Sequence, residues 1–182
     1  WSYLKQVHGG KIFRIENTGD YQGEEGDGMI TTACGIPMAI QVADCAPIAL
    51  ICETPVMGIV HAGWRGLRAG IIQNACIEMR KLGGHPTIAV VGPCIYPKHY
   101  EFGSVELKHM TREFGPTVES ETKEGTPALD IPETARIALL RSNILDTQFI
   151  GECTASSGKY WSHRVGGNIE RQAMVAWLEE AS

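Results

Sequence analysis

Three short stretches carry side chains able to do chemistry: Gln6-Val7-His8-Gly9-Gly10, Asp44-Cys45-Ala46-Pro47 and His61-Ala62-Gly63-Trp64-Arg65-Gly66. Two histidines and one cysteine on separate segments make a borderline-soft donor set. It suits zinc with an open fourth position, the arrangement of catalytic rather than structural sites. The same residues also admit a Cys45 thiolate nucleophile activated by His61, with Asp44 or His8 orienting the base. Spacing does not separate these readings, because no CxxC or HxxxH anchors a metal site. Asp44 and Cys45 interrupt an otherwise apolar run over residues 36–51, and an aspartate is rarely buried without a partner.

The 61–66 turn is predicted to join a strand to a helix, which leaves backbone N–H groups and the positive helix end for an anion. Arg65 is placed there to hold phosphate in a bidentate manner, with a surface ion pair as its ordinary alternative. Ser162-His163-Arg164, entering a Gly-Gly turn, offers a second anion contact. Pro93-Cys94 matches half of the P-C-x-x-C of cytidine-type zinc deaminases, but residue 97 is proline and no H-x-E occurs, which excludes that family. A P-loop is absent. His85, His99 and His109 read as solvated.

Short strands must position these residues. Runs over 11–16, 29–32, 36–42, 47–52 and 56–61 are bounded by Gly, Pro or Asp, with Thr54-Pro55 as a tight hairpin turn. A helix is predicted from Leu67 to Leu82, stopped by Gly83-Gly84, and a strand over 87–92. Residues 105–114 read as a helix and 115–128 as a surface loop. Asp130 and Glu133 have capping-box spacing around Pro132, so a helix should run to about Asn143. Strands are expected over 148–151 and 160–163, and a closing helix over 169–180 with Ile169, Ala173, Trp177 and Leu178 on its apolar stripe. Strands first and helices interspersed later favour a mixed α+β layered domain over a parallel βαβ array.

Composition fits that reading. The 182 residues are 43% hydrophobic and 20% charged, enough apolar surface for a core. No apolar window is long enough for a membrane span. A net charge of -5 argues against nucleic acid as partner, since backbone binding needs clustered basic charge. Small molecules are the expected partners, and a monomer or homodimer the expected state. Six cysteines without framework spacing read as reduced thiols, and no secretory signal is visible, so a cytoplasmic setting is expected.

With these residues in hand, the sequence closely resembles the laccase-domain or multicopper polyphenol oxidase family, also called the peptidoglycan editing factor and zinc-dependent purine nucleoside phosphorylase family. The matching stretches are LKQVHGG, GDGMITT, ADCAPIAL, GIVHAGWRGLRAGI, VGPCIYPKHYEFG, LDIPETAR and CTASSGKYWSHRVGGNIERQAM, in family order over essentially the whole chain. The resemblance implies that His8, Cys45 and His61 are zinc ligands, with copper as an alternative occupant. It implies a mixed-sheet α+β layered domain over residues 1–182, related to cysteine-hydrolase-like toxin folds. The implied activity is phosphorolysis of adenosine, inosine, guanosine and 5′-methylthioadenosine with accompanying adenosine deaminase activity.

Within that reading Arg65 joins Cys45 and His61 in the catalytic set and places phosphate against C1′, with Arg164 as a second contact. Asp27 and Asp44 would support the ligands from behind or meet a ribose hydroxyl. The alternatives are a copper-dependent polyphenol oxidase, a peptidoglycan-precursor hydrolase and a zinc-stabilised scaffold without turnover. Oxidase chemistry through several coppers asks for more histidines than the six present. The family's further N-terminal segment, with an Arg-Gly-Gly-Val-Ser-like turn and an Asn-Leu-Gly stretch, is not among these 182 residues. The sequence departs from the family in having Arg164-Val165 for two adjacent arginines and Glu170-Arg171 for Gly-Arg.

Overall fold

Central strands that are apolar on both faces decide the architecture. In the computed structural model, which describes residues 1–180, six strands form one mixed sheet. They are β1 (Ile12–Arg14), β2 (Gly28–Thr31), β4 (Ala46–Cys52), β5 (Met57–Ala62), β6 (Pro86–Val91) and β9 (Asp146–Phe149), in the order β1-β2-β5-β4-β6-β9. The interior pairings are antiparallel and the two outer ones, β1 with β2 and β6 with β9, are parallel. Successive residues point to opposite faces of a strand. Ile30, Ile48, Leu50 and Val60 therefore enter one core and Met29, Ala49 and Ile59 another. Each buried Ile, Leu, Val or Met side chain contributes about 1.5–3 kcal/mol relative to exposure.

Helices cover the first face. They are α1 (Trp64–Arg68), α2 (Ile71–Lys81), α3 (Ser104–Phe114) and α4 (Ile131–Arg141), with Ile71, Ile72, Met79, Leu107, Ala135 and Leu139 buried. The second face is covered by β3 (Met38–Val42), which pairs antiparallel with β10 (Gln172–Ala176) and buries Met38, Ile40 and Val42. The result is a three-layer mixed α+β arrangement, as expected. Asp130 caps α4, its Oδ1 accepting from the Glu133 amide at 2.8 Å, with Pro132 in the first turn. Among the described residues no helix is long and apolar enough to cross a membrane.

Four expectations are corrected. The helix predicted from Leu67 to Leu82 is two helices, because Gly70 takes φ +73° between α1 and α2. A Cβ at Gly70 would meet nothing closer than 3.7 Å, so Gly70→Ala carries only the left-handed backbone penalty. Net of the unfolded-state entropy glycine adds, about 1 kcal/mol of stability should be lost, measured by chemical denaturation. Residues 115–128 hold a 3-10 turn (Pro116–Val118) and a hairpin of β7 (Glu119–Glu121) and β8 (Pro127–Leu129), whose turn is closed by the Thr122 hydroxyl accepting from the amides of Glu124 and Thr126.

Residues 160–163 form no strand. Ser162 instead caps the short helix α5 (His163–Gly166), its Oγ accepting from the Val165 amide at 3.2 Å. Over 169–180 the predicted helix is replaced by β10. The unpaired edge of β3 offers a ladder, and Met174 and Ala176 pack onto the second core at strand spacing. Those gains exceed helix propensity differences of under about 0.7 kcal/mol per residue. Ile169, counted on the helical stripe, is 86% exposed. The end of the single domain read over 1–182 lies outside the described residues.

Candidate metal centre

Strand register brings the three reactive segments together. β2 and β5 pair with Gly28 opposite Val60, so Asp27 lies beside His61, and the His61 amide donates to the Asp27 carbonyl at 2.7 Å. β4 and β5 pair with Ala46 opposite Ala62, which carries Cys45 to Gly63. A Cβ at Gly63 would stand 2.7 Å from the Cys45 Sγ and 3.1 Å from the His8 Cδ2. Only glycine leaves room there. Gly63→Ala is expected to weaken metal binding at least about tenfold and to cost about 1–3 kcal/mol from overpacking. Competition against a chromophoric chelator and thermal denaturation measure the two effects.

His8 arrives from a turn and stands at φ +61°, a conformation fixed by the Asp27 carboxylate. That buried carboxylate accepts from four donors: the amides of Val7 at 3.2 Å, His8 at 2.9 Å and Gly9 at 2.7 Å, and His61 Nδ1 at 2.8 Å. One side chain thus sets both histidines. With Nδ1–H assigned to Asp27, the His61 Nε2 is left for a ligand. The His8 and His61 rings meet edge-on, centroids 4.7 Å apart. One ligand atom from each of His8, Cys45 and His61 lies within 4.8 Å of the other two.

Electrostatics fit the donor set. Burial pushes the Cys45 thiol up, but hydrogen bonds with His61 and His8 outweigh it and bring the thiol down to about 7. Burial disfavours charge on His61 as well, while Asp27 and the Cys45 sulfur raise it to about 9. Asp27 is held below the ordinary carboxylate range, burial being outweighed by His61 and the Gly9 and His8 amides. A thiol that ionises this readily, beside two imidazoles whose orientation is fixed, is what a borderline-soft cation asks for. The group opens into a cleft of about 440 Å³, whose walls include Lys5, His163 and Arg171.

The other expected residues sit around this group. Asp44, just before Cys45, stands at φ +90°. Its Oδ1 accepts from Thr154 Oγ1 at 2.7 Å, its Oδ2 from the Arg164 amide at 2.7 Å and its carbonyl from the Ile95 amide at 2.8 Å. These bonds hold the unfavourable backbone that aims Cys45. Arg164 donates Nη1 to the Glu101 carbonyl at 2.9 Å and lies over the Tyr100 ring at 4.7 Å. Arg65 lies over the Trp64 ring at 4.5 Å, in a separate depression with Arg68 and Ala69. Neither arginine is among the residues lining the cleft. Burial and Cys45 push the Tyr100 phenol up to about 12, against the opposing charge of Arg164, which lies over its ring. Thr154 and Arg171 had no signal of their own in residue spacing.

The family described as multi-copper polyphenol oxidoreductase laccase matches residues 1–179. This chain belongs to it. A relative from Streptomyces griseus named purine nucleoside phosphorylase ORF3 is 32% identical over 184 residues, covering 97% of this chain and 74% of its own length. The purine nucleoside phosphorylase of Deinococcus radiodurans is 32% identical over 179 residues, covering 96% of this chain and 69% of itself. Among solved structures, YlmD from Geobacillus stearothermophilus superposes with a TM-score of 0.85 at 26% identity, covering 98% of this chain and 74% of that one. This chain therefore shares its fold with YlmD and aligns over nearly its whole length with two relatives named purine nucleoside phosphorylase.

Proposed function

We propose that this protein is a zinc-dependent purine nucleoside phosphorylase acting on adenosine, inosine, guanosine and 5′-methylthioadenosine, with adenosine deaminase activity alongside. The observation that carries this reading is the convergence of His8, Cys45 and His61 within 4.8 Å in a cleft of nucleoside size. Relatives named purine nucleoside phosphorylase support it. His8, Cys45 and His61 would hold the zinc, which supplies Lewis acidity that polarises bound substrate and acidifies water. Copper is the alternative occupant of such a donor set. Among the described residues one group of this kind is assembled, which suits a single metal better than oxidase chemistry through several coppers.

The chain's own residues set up the reaction. Asp27 fixes the His61 ring, and through the amides of residues 7–9 it fixes the His8 turn. Asp44 aims Cys45. Both carboxylates spend their oxygens on these bonds, so they support the centre from behind rather than meeting ribose. Arg65, with Arg164 as a second contact, is the phosphate site expected from the sequence, but neither lines the cleft that holds the metal ligands. In phosphorolysis a phosphate oxygen bonds to C1′ as the C1′–N9 bond breaks, the electron pair passes to the purine and the phosphate proton ends on the base. In deamination water replaces the exocyclic amine and ammonia leaves. Six free cysteines support a reducing, cytoplasmic setting.

Chromatography of products from adenosine and inosine, with and without phosphate, tests the reading. Free base forming only with phosphate is expected, together with inosine from adenosine in either case. No base under any condition would sink the phosphorylase. A second reading has one observation behind it: Cys45 and His61 also stand as nucleophile and base, with Asp27 orienting the base where Asp44 or His8 was expected. Chelation separates the two, since removing zinc abolishes phosphorolysis but frees a thiolate nucleophile. His8, a second donor on Cys45 that a triad does not need, favours the metal.

A further inference from the structure

The chain is acidic, with 16 Lys plus Arg against 21 Asp plus Glu, yet no carboxylate is among the described residues lining the cleft of the metal centre. Its ionisable lining groups are Lys5, His8, Cys45, His61, His163 and Arg171. Three of these are the donor set. Lys5 is engaged by Glu25 at 2.9 Å. Gln6, also in the lining, is tied to the Gln41 backbone, its Nε2 donating at 2.7 Å and its Oε1 accepting at 2.9 Å. Arg171 and His163 are left to meet a ligand.

Both are held from one point. Arg171 Nη1 donates to the carbonyls of Asn168 at 2.9 Å and Glu170 at 2.8 Å, and His163 Nδ1 lies 3.3 Å from the same Asn168 carbonyl. Among the described residues the Nε and Nη2 of Arg171 have no partner, so its guanidinium keeps an edge for two oxygens of one anion. With Nδ1–H given to Asn168, the His163 Nε2 accepts a proton donor, and a monohydrogen phosphate carries one. We propose that Arg171 and His163, anchored on the Asn168 carbonyl in the wall of the metal-centre cleft, form an oxyanion subsite that takes inorganic phosphate. The proposal rests on the phosphorylase reading for the identity of the anion. It moves phosphate from Arg65, outside the cleft, to the cleft that also holds the metal ligands.

The test uses the zinc-loaded full chain and inorganic phosphate, with titration calorimetry for binding and steady-state kinetics for turnover. Arg171→Gln should weaken phosphate binding and raise the phosphate KM at least about tenfold, with the nucleoside KM within about twofold. Zinc content should equal that of the unaltered protein, and Arg171→Lys should recover part of the loss. Phosphate binding unchanged in Arg171→Gln would overturn the subsite, as would a phosphate KM raised by Arg65→Ala and not by Arg171→Gln. In both cases phosphorolysis itself could still stand. Phosphate bound through Arg171 with no base released from any nucleoside would keep the subsite and sink the phosphorylase. Tighter Arg171-dependent binding of a nucleoside 5′-monophosphate than of phosphate would assign the site to a substrate substituent and overturn the co-substrate proposal.

Discussion

Asp27→Asn is expected to cost this protein about 3 kcal/mol of stability, a fall in Tm on the order of 10 °C, and about 10–100-fold in metal affinity. The Asp27 carboxylate accepts from four donors through two oxygens, the Val7 and Gly9 amides on Oδ2 and the His8 amide and His61 Nδ1 on Oδ1. An asparagine turns one oxygen into a donor, so whichever way the amide sits, two donors, at least one of them only partly buried, face a third. Each unsatisfied donor costs about 1–3 kcal/mol. The same change frees the His8 turn and the His61 ring, so the loss of metal affinity follows from the same bonds. Thermal melts of the chelator-stripped protein isolate the stability loss, and competition with a chromophoric chelator gives the affinity. An unchanged melt would contradict the role assigned to Asp27.

The largest effect on the metal is expected from Cys45→Ala. It removes the one anionic donor of the set and leaves two imidazoles, with zinc affinity falling on the order of a thousandfold. Desalted protein should drop from one zinc per chain to a trace by elemental analysis. The fold should lose only about 1 kcal/mol, because the thiol is half-buried and its removal opens little space. Cys45→Ser should bind zinc with intermediate strength, since the hydroxyl is a harder and less acidic donor. Full zinc content in Cys45→Ala with lost turnover would favour the nucleophile reading instead.

How much was legible in the sequence differs by the distance over which each feature is decided. The candidate donors stood out because His8 and Cys45 are reactive types beside glycine or proline and His61 ends an apolar strand just before Gly63, while their role as ligands came from the family resemblance and not from spacing. The Asp130 cap was legible, being settled within four residues. The fold of residues 169–180 was not. Their apolar positions suit either period, and the choice fell to the open edge of β3, more than a hundred residues away in the chain. The Asp44 clamp is of that kind too, its partners Thr154 and Arg164 lying 110 and 120 positions away. Arg65 had a local motif in its favour, but stacking on Trp64 draws its guanidinium into a depression outside the cleft.

The central claim is that one zinc on His8, Cys45 and His61 supports transfer of a ribosyl group to phosphate. Phosphorus NMR of the zinc-loaded protein with inosine and phosphate tests it most directly. A new phosphomonoester resonance, growing in step with hypoxanthine and absent after chelation, is the predicted result. Hypoxanthine released with free ribose while the phosphate signal stays constant would contradict it, and would make the protein a hydrolase.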